Sequence, residues 1–374
     1  MKRYLKTRLK DQRGVTVVIV ALMAVTLLSF TALAIDIGYT LVTRNELQNV
    51  ADASALAAAR QLGQNYVDNG MSDSSVDPGG LIGVAEAVAL KNQAAGKYIV
   101  VDGTDGISGD VIIGKWDFTA KTLAPGLSGP LPNAVRVIAR RDANANGPIT
   151  TFFARIFGKD TISVTTKATA ALSSVPIGKP SIPIGISEHY FEEGCVQDKK
   201  ITFYPTCTKD PCEDSCGGWH TYTDSPSDAE KLKNKDGIID QLIGTTYPIP
   251  ETIAGETRYN FIGGTLASVV PKFKELFDTM KGKNDGILDL DTPEEDPGGV
   301  TWKTMVAVYD SAECKNPSGL TKIVGFAVVT IKKVTTSPDN EVSGHIDCNV
   351  ITPESRGGGG TSFGALSPIP SLVE

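Results

Sequence analysis

The strongest pattern in the chain is an apolar run near its start. Gly14 to Ile35 carries no charge, and its polar members are only Thr16, Thr26, Ser29 and Thr31. Hydroxyls of this kind can return their hydrogen bonds to carbonyls of the same helix. About 20 apolar residues at a rise of about 1.5 Å each cross a hydrocarbon layer, so the run predicts a transmembrane helix over 14–35. Asp36 marks its far edge. Beyond it, Asp36 to Leu62 contains no proline and a single early glycine, Gly38. The stretch RNELQNVADASALAAARQL is built from strong helix formers. The two segments together predict one rod of about 48 residues, or about 70 Å. Ala51, Ala55 and Ala59 recur at i, i+4 spacing, and small side chains on one face would admit a second helix closely.

The pattern then shortens. GVAEAVALKNQAA (83–95) reads as a helix, and Tyr98 to Val101 and Asp110 to Thr119 read as strands about a Gly/Asp-rich turn. Ala134 to Arg140 alternates Val135, Val137 and Ala139 against Arg136, Ile138 and Arg140. Pro148 to Phe157 reads as a short helix whose Phe152, Phe153 and Phe157 are expected in the core, since Phe is commonly buried. Thr161 to Leu172 is a Thr/Val-rich strand. Helices alternating with strands at unequal spacing predict a small α+β sandwich.

Val175 to Ile186 holds three prolines and reads as a linker. After it, Thr301 to Tyr309, Lys322 to Lys332 and Glu341 to Val350 are the clearest strands, continuous enough for burial on both faces. Arg356 to Gly360 with Thr361 and Ser362 reads as a flexible tail, with SPIPSLVE free to dock on the domain or on a partner. The 38 glycines and 21 prolines agree with a turn-rich, strand-rich outer half.

Charge adds a direction. Residues 1–13 carry six Lys and Arg against Asp11, a balance of +5, which leaves −12 for the rest of a −7 chain. A basic flank beside an apolar span places the N-terminus in the cytoplasm and the remainder across the membrane. The acidic remainder excludes nucleic acid as a partner, because phosphate binding needs a basic face. Cys195, Cys207, Cys212, Cys216, Cys314 and Cys348 all lie in the outer half, where disulfides form. Their pairing is open; a Cys314–Cys348 bridge is one guess. Cys207, Cys212, Cys216 and His220 lack the paired Cys-x-x-Cys spacing of a structural zinc site. NKDGIID (234–240) and KNDGILD (283–289) echo one another, but neither places oxygen ligands as an EF-hand does. Asp-Gly reads as a tight turn there, with partial calcium sites at Asp236 and Asp240, or at Asp285, Asp289 and Asp291, as the rival reading.

Catalytic signatures are missing. His189, His220 and His345 are the three histidines, and no G-x-S-x-G elbow, phosphate loop or H-E-x-x-H accompanies them. No enzyme, cofactor, metal or small-molecule substrate is expected.

A basic tail, Arg13-Gly14, an apolar span ending in Asp36-Ile37-Gly38, and then Arg44, Leu47, Gln48, Ala51, Asp52 and Ala55 to Ala59 occur in that order. This combination resembles the TadE/TadG-like segment of Flp pilus-assembly proteins. GKWDF, NAVRVIARR, FFARIFG and VTTKATAAL also look like the periplasmic part of TadG-like proteins. The resemblance implies a non-enzymatic, membrane-anchored component of a Tad-type pilus system, whose partners are the bilayer and other pilus-assembly or pilin-like proteins. Its interaction helix would present Gly14, Asp36, Gly38, Arg44, Leu47, Gln48, Ala51, Asp52, Ala55 and Ala59. The von Willebrand A module of some TadG-like proteins is not expected, since Asp224-Ser225-Pro226-Ser227-Asp228 departs from D-x-S-x-S. Two other fates of the span stay open. One is a cut between Gly14 and Val15, as in type IV pilin leaders, although Ile19 stands where a glutamate is usual. The other is signal-peptide release after Ala34. An envelope-anchored adhesion module and a secreted enzyme are the rival functions.

The expected fold class is therefore α+β: a long N-terminal transmembrane and stalk helix, a small α+β sandwich and a β-rich, disulfide-containing C-terminal domain. The expected division is a basic tail (1–13), span (14–35), stalk (36–64), α+β domain (65–174), linker (175–186), Cys-containing domain (187–355) and tail (356–374). The protein should sit in the inner membrane, with its bulk periplasmic or at the cell surface.

Overall fold

A computed structural model describes residues 13–69, 75–118, 120–127, 131–203, 216–263, 266–282, 301–311, 313–314, 316–352, 355, 357–358 and 361–374. Cys207, Cys212, the 283–289 echo and Asp285, Asp289 and Asp291 lie outside them.

The predicted rod is a single helix, α1, running Arg13–Asn69 over 57 residues. Its two halves do different things. Residues 14–35 touch almost nothing of the chain, whereas Leu47, Val50, Ala51, Ala55, Ala58, Ala59, Leu62 and Tyr66 are buried. They pack on a sheet built from β1 (Val111–Asp117), β2 (Thr122–Pro125), β3 (Ala134–Arg141) and β4 (Val164–Ser174). The alternation read in β3 sends Val135, Val137 and Ala139 to the helix side, as the period-2 pattern requires. A second helix, α2 (Pro78–Ala89), lies against α1 and buries Leu81, Ala85 and Ala89. Asp77 caps it by accepting the Gly80 N–H at 3.0 Å. The outer part of α1 is thus core of an α+β domain rather than a free stalk.

The C-terminal domain is a second sheet that closes on itself. Its strands are β5 (Ile184–Ser187), β6 (Lys200–Phe203), β7 (Gly217–His220), β8 (Arg258–Gly263), β9 (Trp302–Tyr309), β10 (Gly319–Thr335) and β11 (Glu341–Asp347). The ring runs β5, β7, β8, β10, β9 and back to β5, which pairs with β9 in parallel. The 17-residue β10 makes closure possible. One edge pairs with β9, and the other serves β8 at its start and β11 at its end. Strand β6 adds outside β11. Short helices α3 (Ala229–Lys233), α4 (Ile238–Ile243) and α5 (Val270–Met280) accompany the ring. Phe273, Leu276 and Phe277 of α5 are buried in its core, where Phe273 meets Trp219 edge-on at 5.2 Å.

The chain then returns. Strand β12 (Val350–Ile351) pairs in parallel with β13 (Ala365–Leu372), and β13 pairs antiparallel with β4. Within the segment expected as a tail (356–374), the closing SPIPSLVE docks on the domain, one of its two expected fates, as part of β13 in the first sheet, whose order is β12-β13-β4-β3-β1-β2. Pro368 and Pro370 are tolerated in this strand, whose register shifts between Leu366 and Pro370. The expected linker likewise holds structure, since Ile177–Gly178 pairs with Thr252–Ile253 and β5 begins at Ile184.

Disulfides join Cys195 to Cys348 and Cys216 to Cys314. The guessed Cys314–Cys348 bridge is not formed. Cys348 stands one residue past β11, across from the loop before β6, while Cys314 follows β9 and meets the start of β7.

Candidate functional site at the helix–domain junction

The free half of α1 is internally satisfied. Thr26 Oγ1 donates to Leu22 O at 2.6 Å, Ser29 Oγ to Val25 O at 2.8 Å and Thr31 Oγ1 to Leu27 O at 2.9 Å. Gly14 is exposed and Gly38 half-buried, and a side chain added at either would meet nothing of the chain within 4 Å. Arg44 is also exposed.

The alanine face has another role than the one expected of it. Ala51, Ala55 and Ala59 are each 0% exposed, and with Leu47 they are pressed against the chain's own sheet. Small side chains do admit a close neighbour, but here the core they join is the chain's own, shared by its sheet and by α2, so this face is closed to a helix from another molecule. Gln48 belongs to the same seam: its amide donates to Asp52 at 2.8 Å and to Lys167 O at 3.1 Å. Gly63 extends it, because a Cβ there would stand 2.2 Å from Pro368 O of β13.

Asp36 links the two halves. It is buried at the end of the apolar run, and its carboxylate accepts three backbone N–H groups: Phe152 at 2.7 Å, Phe153 at 3.0 Å and Ala154 at 2.6 Å. These amides open the 3-10 turn Ala154–Phe157, so a carboxylate satisfies donors that have no intrahelical partner. Desolvation pushes the Asp36 carboxyl up, but the three N–H donors and the Arg155 charge outweigh it and hold the group below its ordinary value. Tyr39, one turn further along α1, meets Phe152 edge-on at 5.3 Å. The short helix expected over 148–157 is thus a strand pair, Ile149–Thr150 with Thr161–Ile162, carrying a 3-10 turn at its tip. Its Phe152 and Phe157 are exposed rather than core. Asp36 was legible as the edge of the span; a partner 116 residues away was not.

Among the described residues, the outer domain holds two further polar sites. Asp347, buried on β11, accepts Thr330 Oγ1 at 2.6 Å, and Lys303 Nζ lies 3.8 Å from its other oxygen. His345 Nε2 stands 3.4 Å from both Asp347 and Asp198. Burial raises the Asp347 carboxyl, while the His345 and Thr330 hydrogen bonds and the Lys303 charge bring it below its ordinary value. Asp198, His345 and Asp347 could hold a metal ion. Lys303 already supplies positive charge to the central carboxylate, however, which suits an internal ion-pair network. The second site is an open cleft of ≈ 460 Å³ lined by Thr221, Asn234, Lys235, Asp236, Gln241 and Tyr247. Its Asp-Gly turn puts the left-handed conformation on Asp236 (φ 62°), with Gly237 capping α4. Asp240 is paired with Lys272 at 2.7 Å. His220 is apart from both, stacked on Tyr259 at 4.5 Å.

One helix, apolar and uncovered in its first half and built into an α+β domain in its second, defines the class: a protein whose candidate anchor and first domain share a single element. Residues 14–61 match the family model described as Flp pilus-assembly TadE/G-like, and residues 43–170 match the one described as Tad-like Flp pilus-assembly. Together the two matches cover residues 14–170, over which the chain is similar to the TadE/TadG-like Flp pilus-assembly family. The matches span the helix and its sheet through most of β4 and stop short of the closed outer sheet. No curated protein and no solved structure matches the chain.

Proposed function

We propose that the chain is a non-enzymatic component of a Flp/Tad-type pilus assembly machine, anchored in the inner membrane by residues 14–35 with its domains on the outer side. One observation carries this reading. The uncharged segment of α1 is exposed apart from the half-buried Ala32, while the same helix continues without a break into a packed core. Exposed Leu, Val and Phe over about 20 residues are costly in water and favourable in lipid. An anchor continuous with a domain core transmits orientation as a flexible tether cannot. Because the alanine face is closed, lateral contact with pilus partners falls to the span itself and to Ile37, Leu41 and Val42, which are exposed just beyond it. The outer sheet, outside the family-matched part, is the surface offered to extracytoplasmic partners.

The test is complementation. In cells lacking this chain, the full-length protein should restore pilus assembly. A form whose residues 1–35 are replaced by a cleaved secretion signal should not. Equal restoration by the released form would show that anchoring is dispensable.

A further inference from the structure

Resting on the anchoring reading above, we propose that the hairpin tip Thr151–Gly158 is a second membrane contact, placing Phe152, Ile156 and Phe157 in the lipid headgroup–acyl boundary beside α1.

Two observations carry it. The first is exposure. Phe152 is 51% exposed, Phe153 37%, Ile156 75% and Phe157 76%. Four large apolar side chains cluster on one tip, whereas scattered single ones would need no explanation. Gly158, at φ 78°, turns the chain back after Phe157. Thr151 Oγ1 donates to Lys159 O at 2.6 Å across the base, so the tip is a closed turn that holds these side chains outward.

The second is position. The tip does not float over the domain. Its amides are held by Asp36, the residue that follows the last apolar position of the span. Ala32, one turn inside the span on the Asp36 face, is half-buried, so the covered face of α1 extends into the apolar segment itself. One helical turn advances about 5 Å, which puts the tip at the level where hydrocarbon gives way to headgroups. Aromatic side chains favour this boundary.

Charge is balanced there: Arg155 and Lys159 stand against Asp36, beside Arg155, and Asp160 at the hairpin's base, so the apolar side chains alone would draw the tip to the boundary. A protein partner would need a complementary apolar socket; the bilayer is already present at this height once α1 spans it. Two contacts, a helix and a tip fixed to it, would set both the tilt and the rotation of the domain. The outer sheet would then face its partners in one orientation.

The test uses the full-length chain in phospholipid vesicles. Phe157→Trp reports on the tip and Leu22→Trp on the span. The native Trp116, Trp219 and Trp302 are at most 3% exposed and give a constant background. The Phe157→Trp emission is expected to be lost to lipids brominated near the headgroup end of the acyl chain and shielded from aqueous iodide. The Leu22→Trp emission should be lost to lipids brominated deeper. If iodide quenches Phe157→Trp while bromolipid still quenches Leu22→Trp, the tip proposal is overturned and the anchor stands. If neither site responds to bromolipid, the anchoring reading fails and takes this one with it. Shielding of Phe157→Trp from both quenchers would assign the tip to a protein contact and overturn the lipid assignment.

Discussion

At the scale of single residues, the chain puts unusual demands on a few positions. His220 is fully buried against Tyr259, Tyr222 and Phe261, and its Nε2 has no hydrogen-bond partner among the described residues. Burial lowers its pKa to about 3. The folded form thus keeps His220 neutral where the unfolded chain would protonate it. The unfolded state binds more protons below the ordinary histidine value, so stability should fall as pH drops through about 6.5 towards 3. By pH 5 the loss from this one group should be about 2 kcal/mol. Urea unfolding of the wild type and of His220→Phe across this range should show the slope in the former and a flatter one in the latter. Gly63 is a packing demand: Gly63→Ala would drive a Cβ into the Pro368 carbonyl. It should cost about 1–3 kcal/mol, the range for overpacked cores, read by the same unfolding measurement. Asp36→Asn replaces the acceptor of three N–H groups with an amide that has one acceptor oxygen. Hydrogen exchange at Phe152, Phe153 and Ala154 should speed up in that variant. In the wild type the same acceleration should appear only as pH falls below the ordinary carboxylate range, because the folded Asp36 pKa is depressed.

At the scale of elements, local signals were legible and their partners were not. The apolar run, its hydroxyl pattern, the single rod and the alternation of β3 could be read from periodicity, because each depends only on near neighbours in sequence. The alanine face was expected to receive a second helix, whereas its buried side chains join the chain's own core, which includes Leu366 of β13 and leaves no local trace. For the same reason the aromatic tip looked like core: Phe152, Phe153 and Phe157 have the composition of a buried face, and the hairpin base with the distant Asp36 contacts holds them outside. The cysteines disclosed a disulfide framework but not its pairing. The two observed bridges close loops of 153 and 98 residues. Chain-entropy reasoning puts the stabilisation from each long loop at about 2–5 kcal/mol. Paired Cys195→Ser and Cys348→Ser substitutions should lower the outer domain's unfolding midpoint accordingly. They should leave α1 and its sheet folded, and proteolysis fragments followed over denaturant would show this separation.

At the scale of the whole molecule, the two domains share chain in both directions. The first sheet lends β4 to β13, which arrives only after the outer sheet has been completed, and Glu374 closes on Arg136 and Lys167 at the far end. Helix, first sheet and returning strand are therefore one construction, with the outer sheet inserted between β4 and β12. This arrangement couples the outer sheet to the apolar half of α1 through folded structure, as the proposed anchored role requires. The most direct test is the side of the membrane on which the domains lie. With a tag after Glu374, protease added to spheroplasts should remove the tag and leave a membrane-bound N-terminal fragment, and inverted vesicles should protect it. Recovery of the intact chain in the soluble cytosolic fraction, or loss of the tag only from inverted vesicles, would contradict the account.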